Sequence, residues 1–173
     1  MGLPPLPDTA GGSALAIGDY DGDGSEDVFV GGHLFQNGLG RAADATTRAG
    51  IHLRDRAISA TFGDYDNDGF LDLFVASTGG TAPVLYHNRG DGTFEPDRRS
   101  APLAALRTLA ARTALFFDFD NDGFLDLIVG GTPTKAGGRS LFLFRNDQTG
   151  RFVDYSSILP TGLDPARRVV AVD

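Results

Sequence analysis

A nine-residue acidic pattern, Asp-x-Asp-x-Asp-Gly-x-x-Asp, occurs three times in this chain and limits its possible folds more than any other feature. The copies, here named loop 1, loop 2 and loop 3, occupy residues 19–27, 64–72 and 118–126. Each loop leads directly into a short apolar run typical of a β-strand, at residues 28–30, 73–75 and 127–129. Four carboxylates within nine residues repel one another, so an uncompensated loop would weaken any fold.

The oxygen atoms of these loops suit a hard cation. Ca²⁺ takes about six to eight oxygen ligands with flexible geometry, whereas Mg²⁺ requires a rigid octahedron and retains several waters. Positions 1, 3 and 5 direct side chains at one centre, and the glycine at position 6 permits the sharp turn. The carbonyl of position 7 and the carboxylate of position 9 then complete the shell. The sequence therefore predicts three calcium sites, with these ligands: Asp19, Asp21, Asp23, Ser25 and Asp27; Asp64, Asp66, Asp68, Phe70 and Asp72; Asp118, Asp120, Asp122, Phe124 and Asp126.

Two other interpretations of the pattern compete with calcium binding. Acidic turns that contain Asp-Gly are often simply solvated, but three copies with the same four aspartates argue against this explanation. An EF-hand loop begins in the same way, yet it needs an acidic residue at position 12 and a helix on each side. Position 12 is Val30, Val75 or Val129, each in a strand-like run, so the EF-hand interpretation fails.

The loops belong to repeats of 45 and 54 residues, since their first aspartates are residues 19, 64 and 118. Such a period is typical of solenoids and propellers. Each repeat has a strand-like run before the loop, one after it, a third that ends in Asn, and a fourth after a glycine-containing turn. In the first repeat the first, third and fourth runs are residues 14–17, 34–37 and 41–44. In the second repeat they are residues 58–62, 85–88 and 93–96, and in the third residues 114–117, 143–146 and 151–154. This pattern predicts an all-β fold of β-propeller blades, each with four antiparallel strands.

The ends of the chain and a few internal segments depart from this repeat. Residues 168–172 match a first strand again, so we expect about three blades plus the first strand of a fourth. Residues 1–12 are expected to be a linker or an added leading segment, and residues 13–173 the propeller repeats. The second strand of each repeat is followed by a connection, at residues 31–33, 77–83 and 130–139. The Ala- and Leu-rich residues 101–112 are expected to form a short helix or helical turn, or else a long link between blades. In the first repeat, Ala42 takes the place of Phe94 and Phe152 in the other repeats, which predicts that its outer strand is less well packed. The aromatic residues that recur in the repeats are expected to pack between blades rather than to form a ligand-binding face.

Composition narrows the classes of partner. The net charge of −8 argues against binding nucleic acid through its phosphates. The four pattern aspartates of each loop make up twelve of the 23 acidic residues, and three Ca²⁺ ions would leave a charge of about −2. No run approaches the roughly 18 apolar residues of a membrane span, and zero cysteines exclude disulfides and thiolate metal sites.

The repeats resemble the FG-GAP, or VCBS, repeat known from integrin α-chain propellers and from secreted proteins of the cartilage acidic protein type. The resemblance covers roughly residues 13–173 and rests on Gly18-Asp19, Gly63-Asp64, the three loops and the Leu-aromatic-x-Asn tails. Phe117 replaces the glycine before loop 3, a departure that bears on the turn geometry of that blade. The resemblance implies calcium-stabilised blades and a role in adhesion or ligand binding, but no reaction.

We therefore expect a binding or scaffold module that recognises a protein or glycan, and not an enzyme, because metal-bound carboxylates are poor general bases. The alternatives are the propeller portion of a calcium-dependent glycan-cleaving enzyme, with candidate residues His33, His52 and His87, or a fragment without separate function. The pairs Arg98-Arg99 and Arg167-Arg168 are either sites for acidic partners or, as paired surface arginines usually are, solvated.

Assembly and location follow from the same features. Propellers typically have about four to eight blades, so we expect a homo-oligomer or a part of a larger propeller, with Val169 to Val172 pairing against another blade. Extracellular modules commonly use calcium sites with dissociation constants of about 10⁻⁴ to 10⁻³ M, which favours an extracellular or periplasmic location, although residues 1–10 lack the features of a signal peptide.

Overall fold

The computed structural model describes residues 13–38, 41–78 and 81–160, and these form three sheets of four antiparallel strands. We name the sheets blade 1, blade 2 and blade 3. Blade 1 comprises β1 (Leu15–Gly18), β2 (Asp27–Val30), β3 (His33–Gly38) and β4 (Arg41–Asp44). Blade 2 comprises β5 (Ala57–Gly63), β6 (Asp72–Ser77), β7 (Val84–Asn88) and β8 (Phe94–Pro96). Blade 3 comprises β9 (Leu109–Phe117), β10 (Asp126–Pro133), β11 (Leu141–Asn146) and β12 (Phe152–Asp154). The all-β prediction of propeller-like blades is confirmed.

The three acidic loops occupy the same place in their blades, between the first and second strands. The residue before each loop pairs with the ninth loop residue, as Gly18 with Asp27, Gly63 with Asp72, and Phe117 with Asp126. Phe117 therefore leaves the register of the third turn unchanged.

The glycine before the first two loops is explained by the neighbouring blade rather than by the turn. A Cβ on Gly18 would lie 2.7 Å from Leu71 Cδ1, and a Cβ on Gly63 would lie 2.6 Å from Phe116 Cδ2. Each glycine thus lets the side chains of the following blade approach closely.

Two apolar layers hold the blades together, and blade 2 lies between the other two because β5 contacts both β1 and β9. The first layer joins blades 1 and 2 through buried side chains that include Tyr20, Phe29, Leu34, Leu73, Tyr86 and Phe94. The second joins blades 2 and 3 and includes Tyr65, Phe74, Leu85, Leu127, Phe144 and Phe152. The prediction that the recurring aromatic residues pack between blades is confirmed for Tyr86, Phe94, Phe144 and Phe152. Phe35 of blade 1 is buried but belongs to neither layer.

The prediction for residues 101–112 was partly wrong. A 3₁₀ helix runs over Arg98–Thr108, but the following residues belong to β9. Leu109 and Ala111 are buried and alternate with the exposed Ala110 and Arg112, the two-residue period of a strand. An Ala- and Leu-rich composition does not reveal that period.

The predicted connection at residues 130–139 was also wrong at its start, because β10 continues to Pro133. The pairing of β10 with β9 shifts between Gly130 and Gly131, as in a β-bulge. A Cβ on Gly131 would lie 2.3 Å from the carbonyl oxygen of Ala110, so only glycine fits this bulge.

The outer strand of blade 1 is less well packed, as Ala42 predicted. No residue of β4 is buried, whereas β8 and β12 each begin with a buried phenylalanine.

The predicted fourth-blade strand at residues 168–172 and the predicted linker at residues 1–12 lie outside the described residues. Among the helices of the described chain, none has the length and apolar character to cross a membrane.

Side chains at the ends of the third strands connect successive blades. Asn88 Nδ2 donates to the carbonyl of Tyr20 at 2.7 Å, and Asn146 Nδ2 donates to the carbonyl of Tyr65 at 2.7 Å. Both amides are fully buried. Each asparagine therefore ties its own blade to position 2 of the preceding acidic loop. Asn37, the equivalent residue of blade 1, donates through Nδ2 to the backbone carbonyl of Glu26 in its own blade at 3.2 Å.

Several apolar side chains are exposed on the outer faces of blades 1 and 3. Leu15 and Ile17 are 57% and 60% exposed on the side of β1 that faces away from blade 2. Phe119, at position 2 of loop 3, is 37% exposed, although Tyr20 and Tyr65 at that position are buried. No closure of the three blades into a ring is detected within the described residues.

We predict that the isolated chain self-associates at micromolar concentration, since exposed apolar faces and strand edges favour pairing with a second copy. Native mass spectrometry and light scattering measure this directly. Leu15→Ser combined with Ile17→Ser should shift the population towards monomer, whereas Ala104→Ser, at an exposed position of the 3₁₀ helix, should leave it unchanged. A well-folded monomer of the unsubstituted chain would contradict the prediction.

Candidate metal centres

The three acidic loops share one internal framework that begins at position 1. The carboxylate of Asp19, Asp64 or Asp118 accepts the N–H of position 5 at 3.1 Å and the N–H of position 6 at 2.9 Å in every loop. The backbone of each loop is thus folded around its first aspartate, which accepts from residues four and five positions further on.

Two loop positions adopt the left-handed backbone conformation. Position 6 has φ values of 85°, 93° and 87° at Gly24, Gly69 and Gly123, as the sequence predicted. Position 4 also has positive φ, 71° at Gly22 and 57° at both Asn67 and Asn121, and this requirement was not predicted. Glycine and asparagine tolerate positive φ angles better than other residues, so their recurrence at position 4 could have predicted this conformation from the sequence.

Position 9 anchors each loop in the blade. Asp27, Asp72 and Asp126 are buried, and each accepts two backbone N–H groups, one from position 2 and one from the asparagine that ends the third strand. Burial raises the pKa of Asp72 to about 8 and the pKa of Asp27 to about 6, against the opposing effect of these backbone hydrogen bonds. The pKa of Asp126 is raised for the same reason. Negative charge on these buried groups is therefore unfavourable unless a positive charge lies nearby.

The carboxylates predicted to be ligands converge, although not identically in each loop. Oxygen atoms from positions 1, 3 and 5 lie within 4.8 Å of one another in loops 2 and 3, and those from positions 1, 3 and 9 do so in loop 1. In all three loops the N–H of position 7 donates to the carboxylate of position 5, at 2.8 to 3.0 Å. The coordination of an ion by these groups, and by the carbonyls of Ser25, Phe70 and Phe124, stays a prediction.

One oxygen atom tests how well loop 2 suits a cation. Asp66 Oδ1 is buried and accepts no hydrogen bond from the described residues. An unsatisfied buried carboxylate oxygen is costly, and a bound cation would satisfy it. The clustered carboxylate oxygens of Asp64, Asp66 and Asp68 are hard donors that fit Ca²⁺. Asp66 and Asp72 also lie within 4.8 Å of the His87 imidazole, a donor that suits transition metals such as zinc.

Sequence reasoning missed a third-strand position that faces the loops, the residue before each strand's final asparagine. Gln36 donates a hydrogen bond to Asp21 in blade 1. His87 Nδ1 lies 3.2 Å from Asp72 Oδ1 and 3.4 Å from Asp66 Oδ2 in blade 2. Arg145 contacts two carboxylates of loop 3. The residue type differs in every blade, so no repeated letter marks the position.

Arg99 also contacts loop 2. The expectation that the Arg98-Arg99 pair is simply solvated was wrong for Arg99. Its guanidinium donates to Asp97 at 2.9 Å and to Asp66 Oδ2 at 3.3 Å, and lies 5.7 Å above the ring centroid of Tyr65. Another of its hydrogen bonds reaches the Thr149 carbonyl of blade 3 at 3.3 Å. Arg99 is therefore a link between blades 2 and 3 rather than a merely solvated residue, although its side chain is still 36% exposed. Residues 167 and 168 lie outside the described residues.

The three histidines do not form one group. His33 and His52 line an open groove of about 640 Å³ together with Arg54, Asp55 and neighbouring residues, and His33 Nδ1 lies 3.3 Å from Asp44 Oδ2. His87 lies beside loop 2, on the third strand of blade 2. The candidate residues of the enzyme alternative are thus divided between two places.

Comparison with protein-family models identifies the repeats. A model described as FG-GAP-like repeat matches residues 64–129 and 118–173, which together cover more than half of the chain. The chain belongs to the FG-GAP-like repeat family. Blades 2 and 3 carry loops 2 and 3 of these matched repeats, and blade 1 has the same loop framework although it precedes them. FG-GAP-like repeats indicate a β-propeller-like binding or scaffold module. A search of curated proteins found no match for the chain.

We predict that Asp68→Ala weakens calcium binding by the FG-GAP-like loop 2 by about tenfold or more, a loss of ~1.4 kcal/mol, because a charged ligand is removed. Isothermal titration calorimetry measures the change. Glu26→Ala is the matched control, since Glu26 is an exposed acidic residue at position 8 of loop 1. Equal calcium affinity in the two variants would contradict the ligand assignment.

Proposed function

We propose that this chain is a calcium-stabilised β-propeller module that binds protein or glycan partners outside the cytoplasm. The observation that carries the proposal is the convergence of carboxylate oxygens in each of three loops that share one backbone framework. Converging negative charges raise the free energy of the fold, and a divalent cation between them would lower it.

The role of calcium in this proposal is structural. Position 2 of loops 1 and 2 supplies both a buried tyrosine ring and the carbonyl that accepts the next blade's asparagine. Tyr20 and Phe94 have ring centroids 5.5 Å apart, and Tyr65 and Phe152 have centroids 5.6 Å apart. An ion that orders a loop would therefore also order the contact with the following blade.

A binding role accounts for these residues without a reaction. The carboxylates at positions 1, 3 and 5 would be engaged by the ion and by backbone N–H groups, so they are poor general bases. The open groove at His33 and His52 offers Arg54 and Asp55 as hydrogen-bonding groups suited to a polar ligand such as a glycan. Extracellular modules commonly use calcium sites with dissociation constants of about 10⁻⁴ to 10⁻³ M, and the proposed extracellular or periplasmic location assumes sites of this kind.

We predict that the chain binds three Ca²⁺ ions at saturation and that a chelator lowers its melting temperature. At a free calcium concentration of 100 times the dissociation constant, binding stabilises the folded state by ~2.7 kcal/mol for each site. Native mass spectrometry counts the ions, and calorimetry or fluorescence follows the melt. Magnesium at the same concentration is the control and should restore less stability. An unchanged melt, with no bound calcium by elemental analysis, would contradict the proposal.

A further inference from the structure

The residue before the final asparagine of each third strand lies beside the acidic loop of its own blade. The strand pairings place Phe35, Tyr86 and Phe144 opposite the residue that follows the loop. The next residue along each strand is therefore beside position 9 of the loop. It is Gln36 in blade 1, His87 in blade 2 and Arg145 in blade 3.

The charge at this position differs between blades 1 and 3. In blade 1 the neutral amide of Gln36 donates to Asp21. Arg48 hydrogen-bonds the amide oxygen of Gln36 and the side chain of Tyr20. In blade 3 the guanidinium of Arg145 contacts the loop carboxylates directly. Its Nε lies 2.5 Å from Asp120 Oδ2, and its Nη2 lies 3.0 Å from Asp122 Oδ2. A permanent positive charge is thus placed between positions 3 and 5 of loop 3.

The contacts of Arg145 are partly shielded from water. The side chains of Asp120 and Asp122 are 28% and 16% exposed, and that of Arg145 is 32% exposed. Charge-assisted hydrogen bonds are stronger than neutral ones, and solvent screens part of this attraction because the side chains are partly exposed. Gln148 adds a hydrogen bond to Asp122 Oδ2 at 3.1 Å, so this carboxylate oxygen has two side-chain donors.

We propose that Arg145 is a built-in counter-cation of loop 3, which makes loop 3 bind calcium more weakly than loop 1 and depend on it less. The part of this inference that concerns affinity rests on the proposed calcium function. A calcium ion entering loop 3 either displaces Arg145 from two carboxylates or binds next to its charge. Both routes oppose binding, and we expect an affinity about tenfold or more below that of loop 1.

The test exchanges the residues of the two blades. Arg145→Gln gives blade 3 the residue of blade 1, and Gln36→Arg does the reverse. Stepwise calcium titration by calorimetry, with native mass spectrometry to count ions, should show the weakest step of the unsubstituted chain strengthened about tenfold by Arg145→Gln. Gln36→Arg should weaken a tight step by a similar factor. Arg112→Gln is the control, because it removes the same charge at an exposed position where Arg112 contacts Thr132.

A second measurement tests the counter-cation without any calcium. In excess chelator, Arg145→Gln should lower the melting temperature more than Arg112→Gln, because it leaves Asp120 and Asp122 without compensation. An equal effect of the two variants in chelator would overturn the counter-cation role. Three equally tight steps in the unsubstituted chain, or an unchanged weakest step in Arg145→Gln, would overturn the inference about affinity.

If Arg145→Gln fails to fold, Gln36→Arg decides the question alone, since an unchanged loop 1 step would overturn the inference. A chain that binds no calcium overturns the proposed function, while the melts in chelator still report on Arg145.

Discussion

Repulsion between converging carboxylates is the constraint on which the rest of this structure depends. Each loop brings aspartate oxygens to within 4.8 Å of one another, and the ninth residue of each loop is buried. Backbone N–H groups from the loop and from the third strand offset part of this cost. The remaining cost is visible in the raised pKa of Asp72 and in the unpaired oxygen of Asp66. A cation, whether Ca²⁺ or a basic side chain, removes it.

The same loops also hold the blades together, so a loop whose charges are compensated also stabilises the packing of its blade against the next one. Position 2 of a loop is in contact with the next blade through an aromatic ring and a backbone carbonyl. The glycine before the loop gives the next blade room to approach. Asn67 of loop 2 even donates to the carbonyl of Gly123 in loop 3 at 2.9 Å. A disordered loop would therefore loosen the interface beside it as well as its own turn.

Much of the fold could be predicted from the sequence because its determinants are local and repeated. Three copies of the acidic pattern place the loops, and the flanking apolar runs place the strands. The failures concern residues whose role is set by a neighbouring blade. Gly63 was interpreted as part of a turn motif although it faces Phe116, and Arg99 was read as a surface residue although it contacts blade 3. Arg145 carries no repeated signal, because its contacts depend on strand register rather than on residue type.

Anomalous diffraction from crystals grown in calcium shows whether the loops bind the ion, because long-wavelength data locate calcium without reference to the sequence. We predict a peak in each loop about 2.3–2.6 Å from carboxylate oxygens, with Asp66 Oδ1 among the ligands in loop 2. We also predict that the loop 3 peak has the lowest occupancy at limiting calcium. Maps without a peak in any loop, with Asp66 Oδ1 still buried and unpaired, would contradict these predictions.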